Sequence, residues 1–335
     1  MSETDKSPLV GILSISIRGF RGIDSLDLDF TDPQGEPNSL VVIAGPNGCG
    51  KTSVIEAALR CINNLDPRLQ ERELDYDRRG GKECRVQSEI KANDQVDSYW
   101  FSESYSSLRN GCPRPNIQRP VLYYGHIEYF SSKRTTGIIG ALQVSVGKND
   151  DYETKETSRL KRVKQHLVNA AVAEKFPGKN GSTRRYSDWI NKINESWCRF
   201  YPDSKQTFRV ELIEDGDRSG AFDVYLVDSD GTRLEIDFLS SGQLEVFVFI
   251  ATLVFDDDRA GIVFIDEPEL HLDPQWHRPL MSCLLNLKPK AQFIVATHSP
   301  EIFASARFDQ RHFLVPKNDP RAKIWESTQS LSAMT

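Results

Sequence analysis

Residues 40–60 read LVVIAGPNGCGKTSVIEAALR, and this stretch gives the clearest indication of the fold of the 335-residue chain. Its first five residues are all apolar, which is typical of a strand that is buried on both faces. Gly45 ends this run, and the apolar residues that follow recur at the spacing of one helix face. Between the strand and the helix lies the pattern G-x-x-x-x-G-K-T. Glycines let successive backbone N–H groups converge on phosphate oxygens, and the helix N-terminus favours negative charge. The stretch therefore predicts a nucleoside triphosphate site, in which Lys51 reaches the outer phosphates and the Thr52 hydroxyl ligates Mg²⁺.

Composition narrows the class of protein. Apolar residues make up 39% of the chain and charged residues 27%, which is typical of a globular protein. The net charge of −6 argues against a globally basic nucleic-acid binder but says nothing about local patches. No apolar run approaches about 18 residues, and the N-terminal MSETDKSP does not resemble a signal peptide, so no membrane association is expected. The six cysteines form no C-x-x-C pair, which indicates reduced thiols and a cytoplasmic location.

Hydrophobic periodicity divides the chain into lobes. Alternating apolar and polar residues over 9–30 and 83–101 predict antiparallel strands. Continuous apolar runs at 261–265 and 293–296 predict buried parallel strands, and the apolar stretch 244–255 predicts a buried helix. The predicted boundaries are residues 1–130 for an N-terminal lobe, 131–205 for a helical insertion, 206–317 for a C-terminal lobe and 318–335 for a polar tail.

The predicted insertion is basic. Residues 155–185 contain nine Lys or Arg residues and two Glu residues. Such a segment either follows nucleic-acid phosphates or forms a solvated helix face that balances an acidic head. The candidate phosphate contacts are Arg159, Lys161, Arg162, Lys164, Lys175, Lys179, Arg184 and Arg185. A helix is predicted over residues 159–173, and Ser187 or Asp188 is predicted to cap a second helix.

An acidic pair and two short motifs complete the candidate site. Asp266 and Glu267 end a predicted buried strand, where Asp266 could hold Mg²⁺ and Glu267 could take a proton from an attacking water. Residues 239–243, LSSGQ, lie just ahead of the predicted buried helix and could bind an anion. His298 follows another buried strand, where its imidazole could hydrogen-bond a γ-phosphate. Taken singly, LSSGQ also reads as a simple helix cap and His298 as a structural histidine.

The order GPNGCGKT, LSSGQ, IDEPELHLDP and THS resembles the ATPase head of ABC-type proteins. The motif variants resemble the RecF, SMC and OLD-like group, whose phosphate loop reads GxNGxGKT, rather than transporter subunits, where GxSGSGKS is more usual. The opening ISIRGFRGIDSLDLDF is similar to the N-terminal strand of that group, and EPELHLDP to its OLD- and RecF-like members. The resemblance covers roughly residues 9–130 and 205–315. It implies an α/β fold with a mostly parallel central sheet, an antiparallel N-terminal β-subdomain and a helical insertion.

The resemblance also implies roles for individual residues. Residues implied to contact the nucleotide within one subunit are Gly45, Asn47, Gly48, Gly50, Lys51, Thr52 and Ser53. Asp266 is the implied metal ligand together with Thr52, Glu267 the general base and His298 the γ-phosphate switch. Ser240 and Gly242 are implied to reach the ATP of an opposite subunit, with Asp273 in a loop that crosses the interface. The glutamine that the family places after the phosphate loop has no good match, since Gln118 and Gln143 both fit poorly.

The resemblance further implies a Mg²⁺-dependent ATPase whose two copies close head-to-tail around ATP. OLD-like proteins continue into a TOPRIM nuclease domain, which this chain is expected to lack because it ends soon after His298. The effector is therefore expected to be a separate protein, such as a nuclease or toxin of a bacterial antiphage defence system. The alternative is a RecF-like DNA-binding ATPase of DNA repair that uses the basic residues 155–185. A transporter motor is a third hypothesis, which the motif variants argue against.

Overall fold

The structure is a computed structural model that describes residues 10–63, 84–92, 95–104, 107–109, 126–132, 157–176, 185–213, 220–255 and 261–315. The chain forms two units. The first unit consists of residues 1–131, 259–269 and 289–335, and the second of residues 132–258 and 270–288. The two predicted strands at 261–265 and 293–296 thus share a unit with the phosphate loop, whereas LSSGQ lies in the other unit.

The elements follow one another along the chain. The strands are β1 (Val10–Phe20), β2 (Ile23–Asp29), β3 (Leu40–Ala44), β4 (Cys84–Ala92), β5 (Gln95–Ser104), β6 (Ser107–Arg109), β7 (His126–Phe130), β8 (Thr207–Leu212), β9 (Phe222–Val227), β10 (Arg233–Glu235), β11 (Gly261–Asp266), β12 (Gln292–Thr297) and β13 (Arg311–Phe313). The helices are α1 (Lys51–Asn63), α2 (Thr157–Lys175), α3 (Arg185–Phe200), α4 (Ser241–Phe255), α5 (His277–Leu287) and α6 (Pro300–Ser305). Short 3₁₀ turns occupy Ile236–Phe238, Pro274–Trp276 and Phe308–Gln310.

The first unit contains one antiparallel and one parallel sheet. The antiparallel sheet has the order β2-β1-β4-β5-β6, which confirms the predicted N-terminal β-subdomain. Its alternating residues put Ile15 and Ile17 into the core that α1 shares, while intervening side chains are partly exposed. The parallel sheet has the order β13-β3-β12-β11-β7. This sheet confirms the prediction of a mostly parallel central sheet.

The register of the parallel sheet determines where the site lies. Asp266 pairs with Ala296, and Thr297 pairs with Ala44. The carboxyl ends of β3, β11 and β12 therefore meet at one edge, which is where open α/β sheets bind their ligands. All five residues of β3 and all six of β11 and β12 are buried, as their continuous apolar character predicts.

The second unit packs four helices with the three-stranded antiparallel sheet β10-β9-β8. Helix α4 is buried continuously from Leu244 to Val254, as predicted for a helix that is apolar all round. Helices α2 and α3, which were predicted to form an insertion, lie in one unit with α4 and α5 and pack against α4. Among the described residues, no helix combines the length and apolarity that a bilayer-spanning segment needs.

The predicted cap of the second helix is wrong. Helix α3 begins at Arg185, so Ser187 and Asp188 lie inside its first turn. Ser187 instead joins α3 to α2, because its backbone N–H donates to Glu174 Oε2 at 3.0 Å and its hydroxyl donates to Oε1 of the same carboxylate. Ser187 therefore links α3 to α2 by hydrogen bonds and does not cap the start of α3.

One of the predicted DNA contacts is also wrong, because Lys164 is buried. The side chain of Lys164 is 0% exposed, and its ammonium lies 2.6 Å from Asp223 and 3.0 Å from Asp237. Burial raises the pKa of Asp223, and the Lys164 ammonium opposes that rise. A charge in this position holds α2 to β9 and to the 3₁₀ turn ahead of LSSGQ. It is not available to a nucleic-acid phosphate.

Lys164→Ala is expected to lower the free energy of unfolding by about 3–5 kcal/mol, because removing one member of a buried ion cluster leaves uncompensated charge. Urea denaturation monitored by circular dichroism measures this loss. The matched control is Lys161→Ala on the same helix, whose exposed side chain predicts a change within about 0.5 kcal/mol. Equal unfolding midpoints for the Lys164→Ala protein and the wild type would contradict a stabilising role for the cluster.

Candidate functional site

The phosphate loop connects β3 to α1 through glycines in conformations that other residues avoid. Gly45 has φ 152°, and a Cβ atom there would lie 2.3 Å from the carbonyl oxygen of Leu314. Gly50 has φ 101°, and its Cβ would meet Ile23 at 3.2 Å. Glycine is required by space as well as by φ at Gly45, whereas at Gly50 the positive φ is the stronger reason and the Ile23 side chain would have to shift. Asn47 and Gly48 form the turn between them.

Lys51 lies inside the loop that precedes it. Its side chain is only 5% exposed, and its ammonium donates to the carbonyl oxygens of Gly45 at 2.9 Å and Pro46 at 3.1 Å. An ammonium in this place can attract phosphate oxygens while the loop carbonyls fix its position. Burial raises the pKa of the neighbouring Cys49 thiol, which favours its protonated form.

Thr52 and Asp266 meet at the sheet edge. The Thr52 hydroxyl lies 2.9 Å from Asp266 Oδ2 and 3.1 Å from Oδ1, and Asp266 is completely buried. Hydroxyl and carboxylate oxygens are the ligands that Mg²⁺ prefers, and protein sites often supply only one or two of them beside substrate phosphates. The pair therefore fits a Mg²⁺ ion. The structure places Ser53 in the same first turn of α1.

His298 lies between Lys51 and Glu267. Its Nδ1 is 3.4 Å from the Lys51 ammonium, and its Nε2 is 3.5 Å from Glu267 Oε1. A ring nitrogen that faces an ammonium must accept, so the neutral tautomer with its proton on Nε2 suits this arrangement. Glu267 has φ 52°, and its backbone N–H donates to Ala296 on the neighbouring strand at 2.8 Å. The geometry thus brings together the acidic pair, the lysine and the histidine that the sequence separates.

LSSGQ forms the helix start that was predicted, since Leu239 and Ser240 precede α4 and residues 241–243 make its first turn. Ser240 and Gln243 form a capping box. The Gln243 N–H donates to the Ser240 hydroxyl at 3.3 Å, and Gln243 Oε1 accepts from the Ser240 N–H at 3.2 Å and from its hydroxyl at 3.0 Å. A Cβ on Gly242 would lie 2.6 Å from the carbonyl oxygen of His271. Glycine at this position therefore brings the start of α4 close to the chain just before Asp273.

Asp273 is held by its own turn and by aromatic packing. Its carboxylate accepts from the Gln275 N–H at 3.1 Å, which caps the 3₁₀ turn Pro274–Trp276. The centroid of the Trp276 ring lies 5.1 Å from that of the Phe200 ring and 4.9 Å from that of the Tyr201 ring, at the end of α3. The second unit thus presents Ser240 and Asp273 on exposed, well-supported backbone. Gln118 and Gln143, the poor matches to the family glutamine, lie outside the described residues.

A further carboxylate escaped the sequence analysis. Glu269 Oε1 accepts from the backbone N–H groups of His298, at 2.6 Å, and of Ser299, at 3.2 Å. The only sequence signal was its place after the acidic pair in IDEPELHLDP, to which no chemistry was attached.

Two family profiles match the chain. Residues 141–304 match a family described as "AAA domain, putative AbiEii toxin, Type IV TA system", and residues 14–169 match one described as "AAA domain". The fold resembles a crystal structure of an SMC head bound to the C-winged helix domain of ScpA, with a TM-score of 0.53 at 14% identity over 91% of this chain and 97% of that one. Fold and family matches together define an ATPase head of the ABC type.

Sequence relatives narrow the class. The chain is 23% identical over 315 residues to Septu protein PtuA of Bacillus thuringiensis, covering 89% of this chain and 74% of that protein. It is 29% identical over 382 residues to the Retron Vc95 probable ATPase of Vibrio cholerae serotype O1 biovar El Tor, covering 90% and 73%. It spans 38% of a second Septu protein PtuA, from Bacillus mycoides. These matches support the predicted ABC-type ATPase head, and none of them tests the expected lack of a TOPRIM domain.

Proposed function

We propose that the chain hydrolyses ATP with Mg²⁺ and uses the reaction to control a separate effector in bacterial antiphage defence, in the cytoplasm. The observation that supports it best is the convergence of five side chains at one sheet edge. They are Lys51, Thr52, Asp266, Glu267 and His298. A purely structural edge has no need to gather a buried lysine, two carboxylates and a histidine around a glycine-rich loop.

The proposed reaction is the attack of water on the γ-phosphate. Lys51 attracts the outer phosphate oxygens, while Thr52 and Asp266 would hold a Mg²⁺ ion. When bound, that ion would neutralise charge that develops on the phosphates. Glu267 takes the proton of the attacking water as the bond between the γ-phosphorus and the bridging oxygen breaks. His298 donates to a γ-phosphate oxygen and thereby reports which nucleotide is present.

The exposed residues of the second unit support a dimer. Ser240 and Asp273 are both exposed, and each lies at a capped start, Ser240 ahead of α4 and Asp273 ahead of the 3₁₀ turn Pro274–Trp276. The start of α4 offers backbone N–H groups of the kind that bind anions. We infer that Ser240 and Gly242 approach the ATP of a second copy, which makes ATP the link between two heads arranged head-to-tail.

Relatives and family descriptions support the defence assignment. One matching family is described as a putative toxin of a type IV system, and relatives are named for Septu and for retrons. An ATP-driven head changes its contacts with nucleotide state, so it is suited to hold or release a partner. The proposed partner is a nuclease or another toxin chain.

A RecF-like DNA-binding ATPase is the second candidate. The observation in its favour is that Lys161 and Lys175 are exposed on α2. Burial of Lys164 removes one charge from that surface and weakens this alternative. Lys179 and Arg184 lie outside the described residues.

Affinity purification tests the proposal. The Glu267→Gln protein is expressed with its genomic neighbours, captured with ATP present, and analysed by mass spectrometry and a nucleic-acid stain. We expect one neighbouring protein to co-purify in amounts comparable to the bait, and the Lys51→Ala protein, handled identically, to lose it. Recovery of nucleic acid without a protein partner would contradict the effector proposal and favour the RecF-like alternative.

A further inference from the structure

The Glu269 carboxylate links the end of β11 to the segment that follows β12. Glu269 lies three residues after Asp266, whereas its two hydrogen-bond donors are the backbone N–H groups of His298 and Ser299. The 2.6 Å contact with the His298 N–H is short, as expected when the acceptor is charged. Ser299 in turn caps α6 through its hydroxyl, which accepts from Ile302 at 3.1 Å. One carboxylate therefore fixes the backbone on both sides of the His298–Ser299 peptide.

The second oxygen of this carboxylate indicates a role other than stability. Glu269 Oε2 is buried and has no hydrogen-bond partner among the described residues. A buried carboxylate oxygen without a partner costs free energy, which an uncharged acceptor or a backbone contact would avoid. If Glu269 served stability alone, the free-energy cost of its unpaired Oε2 would have no compensation. We therefore look for its role in the position of the His298 and Ser299 backbone that it holds.

The backbone in question carries the imidazole of His298. The imidazole lies between the Lys51 ammonium and Glu267, and each contact is at the outer limit of a direct interaction, 3.4 and 3.5 Å. A shift of the His298 backbone by about 1 Å would break one of these contacts, and misplacement on that scale can cost about 100-fold in rate. Glu269 itself hydrogen-bonds neither Lys51 nor Thr52 among the described contacts, so nucleotide affinity does not depend on it directly.

We propose that Glu269 is a positioning residue for ATP hydrolysis, which holds the His298 backbone so that the imidazole reaches the γ-phosphate. This inference rests on the proposed ATPase function. The Glu269 carboxylate is not proposed to contact the nucleotide. Its effect belongs to the chemical step rather than to ATP binding.

The test compares Glu269→Ala with Glu269→Gln. Alanine removes both acceptors and is expected to lower kcat about 10- to 100-fold, with the ATP Kd within about twofold of wild type. Glutamine keeps a carbonyl oxygen that can accept from both N–H groups, so it should restore kcat to within about threefold. Kd is measured by titration with a fluorescent ATP analogue and kcat by phosphate release.

A double-mutant cycle with His298→Ala separates positioning from general damage. If Glu269 acts through His298, Glu269→Ala should lower kcat by less than about twofold once the imidazole is gone. A full additional loss in the His298→Ala background would overturn the proposal. So would failure of glutamine to restore kcat.

Hydrogen exchange gives a readout that is independent of catalysis. The His298 amide should exchange faster in Glu269→Ala than in wild type, and glutamine should restore its protection, whereas the Ser299 amide keeps a second acceptor, Thr297 Oγ1 at 2.9 Å. If wild type shows no Lys51-dependent hydrolysis while the exchange results hold, the ATPase function fails and the catalytic part of this inference with it. If wild type hydrolyses ATP but the exchange does not change, the role of Glu269 alone is overturned.

Discussion

Replacing Lys51 with alanine is expected to weaken ATP binding at least about 100-fold, equivalent to about 3 kcal/mol. The Lys51 ammonium is held in the glycine-rich loop by two carbonyl oxygens, where it is proposed to attract the outer phosphates. Removing it deletes charge-assisted hydrogen bonds to phosphate and leaves the negative ends of those carbonyls facing the ligand. Isothermal titration calorimetry with Mg²⁺ and ATP measures the change directly.

Two controls make the Lys51 result interpretable. Lys51→Met keeps most of the length of the side chain, so it should lose affinity as strongly as alanine while filling the same space. Lys290→Ala removes a lysine at an exposed position of the same unit and should leave affinity unchanged. Thermal unfolding of each variant reports whether the fold is intact. Equal ATP affinity for the wild type and Lys51→Ala would refute the assignment of the loop.

Glu267→Gln is expected to lower the rate of ATP hydrolysis by about 10²- to 10⁴-fold with little change in ATP affinity. Glutamine has nearly the same shape as glutamate but cannot take a proton from the attacking water. Its amide can still face His298 across the 3.5 Å gap, so the surroundings should persist. Phosphate release under saturating ATP measures the rate.

The control for the second prediction is Glu195→Gln, which changes an exposed carboxylate on α3 and should not affect hydrolysis. A hydrolysis rate in Glu267→Gln within about threefold of wild type would contradict a general-base role, since such a role is worth far more than that. A large rise in Kd together with a lower rate would instead show that Glu267 contributes to binding.

Much of the fold could be predicted because its signals are local. The apolar run of β3 and the glycine-rich loop are adjacent in sequence. The parallel strands β11 and β12 are each indicated by a continuous apolar stretch. Continuous apolar strands of this kind are typical of parallel sheets. Parallel pairing in turn brings the carboxyl ends of the strands to one edge of the sheet. The register Asp266–Ala296 and Thr297–Ala44 follows this rule.

The contacts that could not be predicted join residues far apart in sequence. Lys164 was taken for a surface charge because its partners Asp223 and Asp237 are distant, and helical periodicity cannot reveal a buried ion cluster. Glu269 was overlooked because its partners are backbone N–H groups 29 and 30 residues away, which carry no side-chain signature. The start of α3 at Arg185 was missed because serine is a common helix cap, so Ser187 was expected to begin the helix. Its hydroxyl instead donates to Glu174 of α2, a partner that the local sequence does not reveal.

The central claim is that ATP joins two copies of this chain into a switch. Multi-angle light scattering of the Glu267→Gln protein measures it, with and without Mg²⁺ and ATP, beside a Ser240→Arg, Glu267→Gln double variant. We expect the mass of one 38.0 kDa chain without ATP, about twice that mass with ATP, and no ATP-dependent change when Ser240 is replaced. A Glu267→Gln protein that binds ATP but keeps the same mass in both conditions would contradict the ATP-dependent dimer.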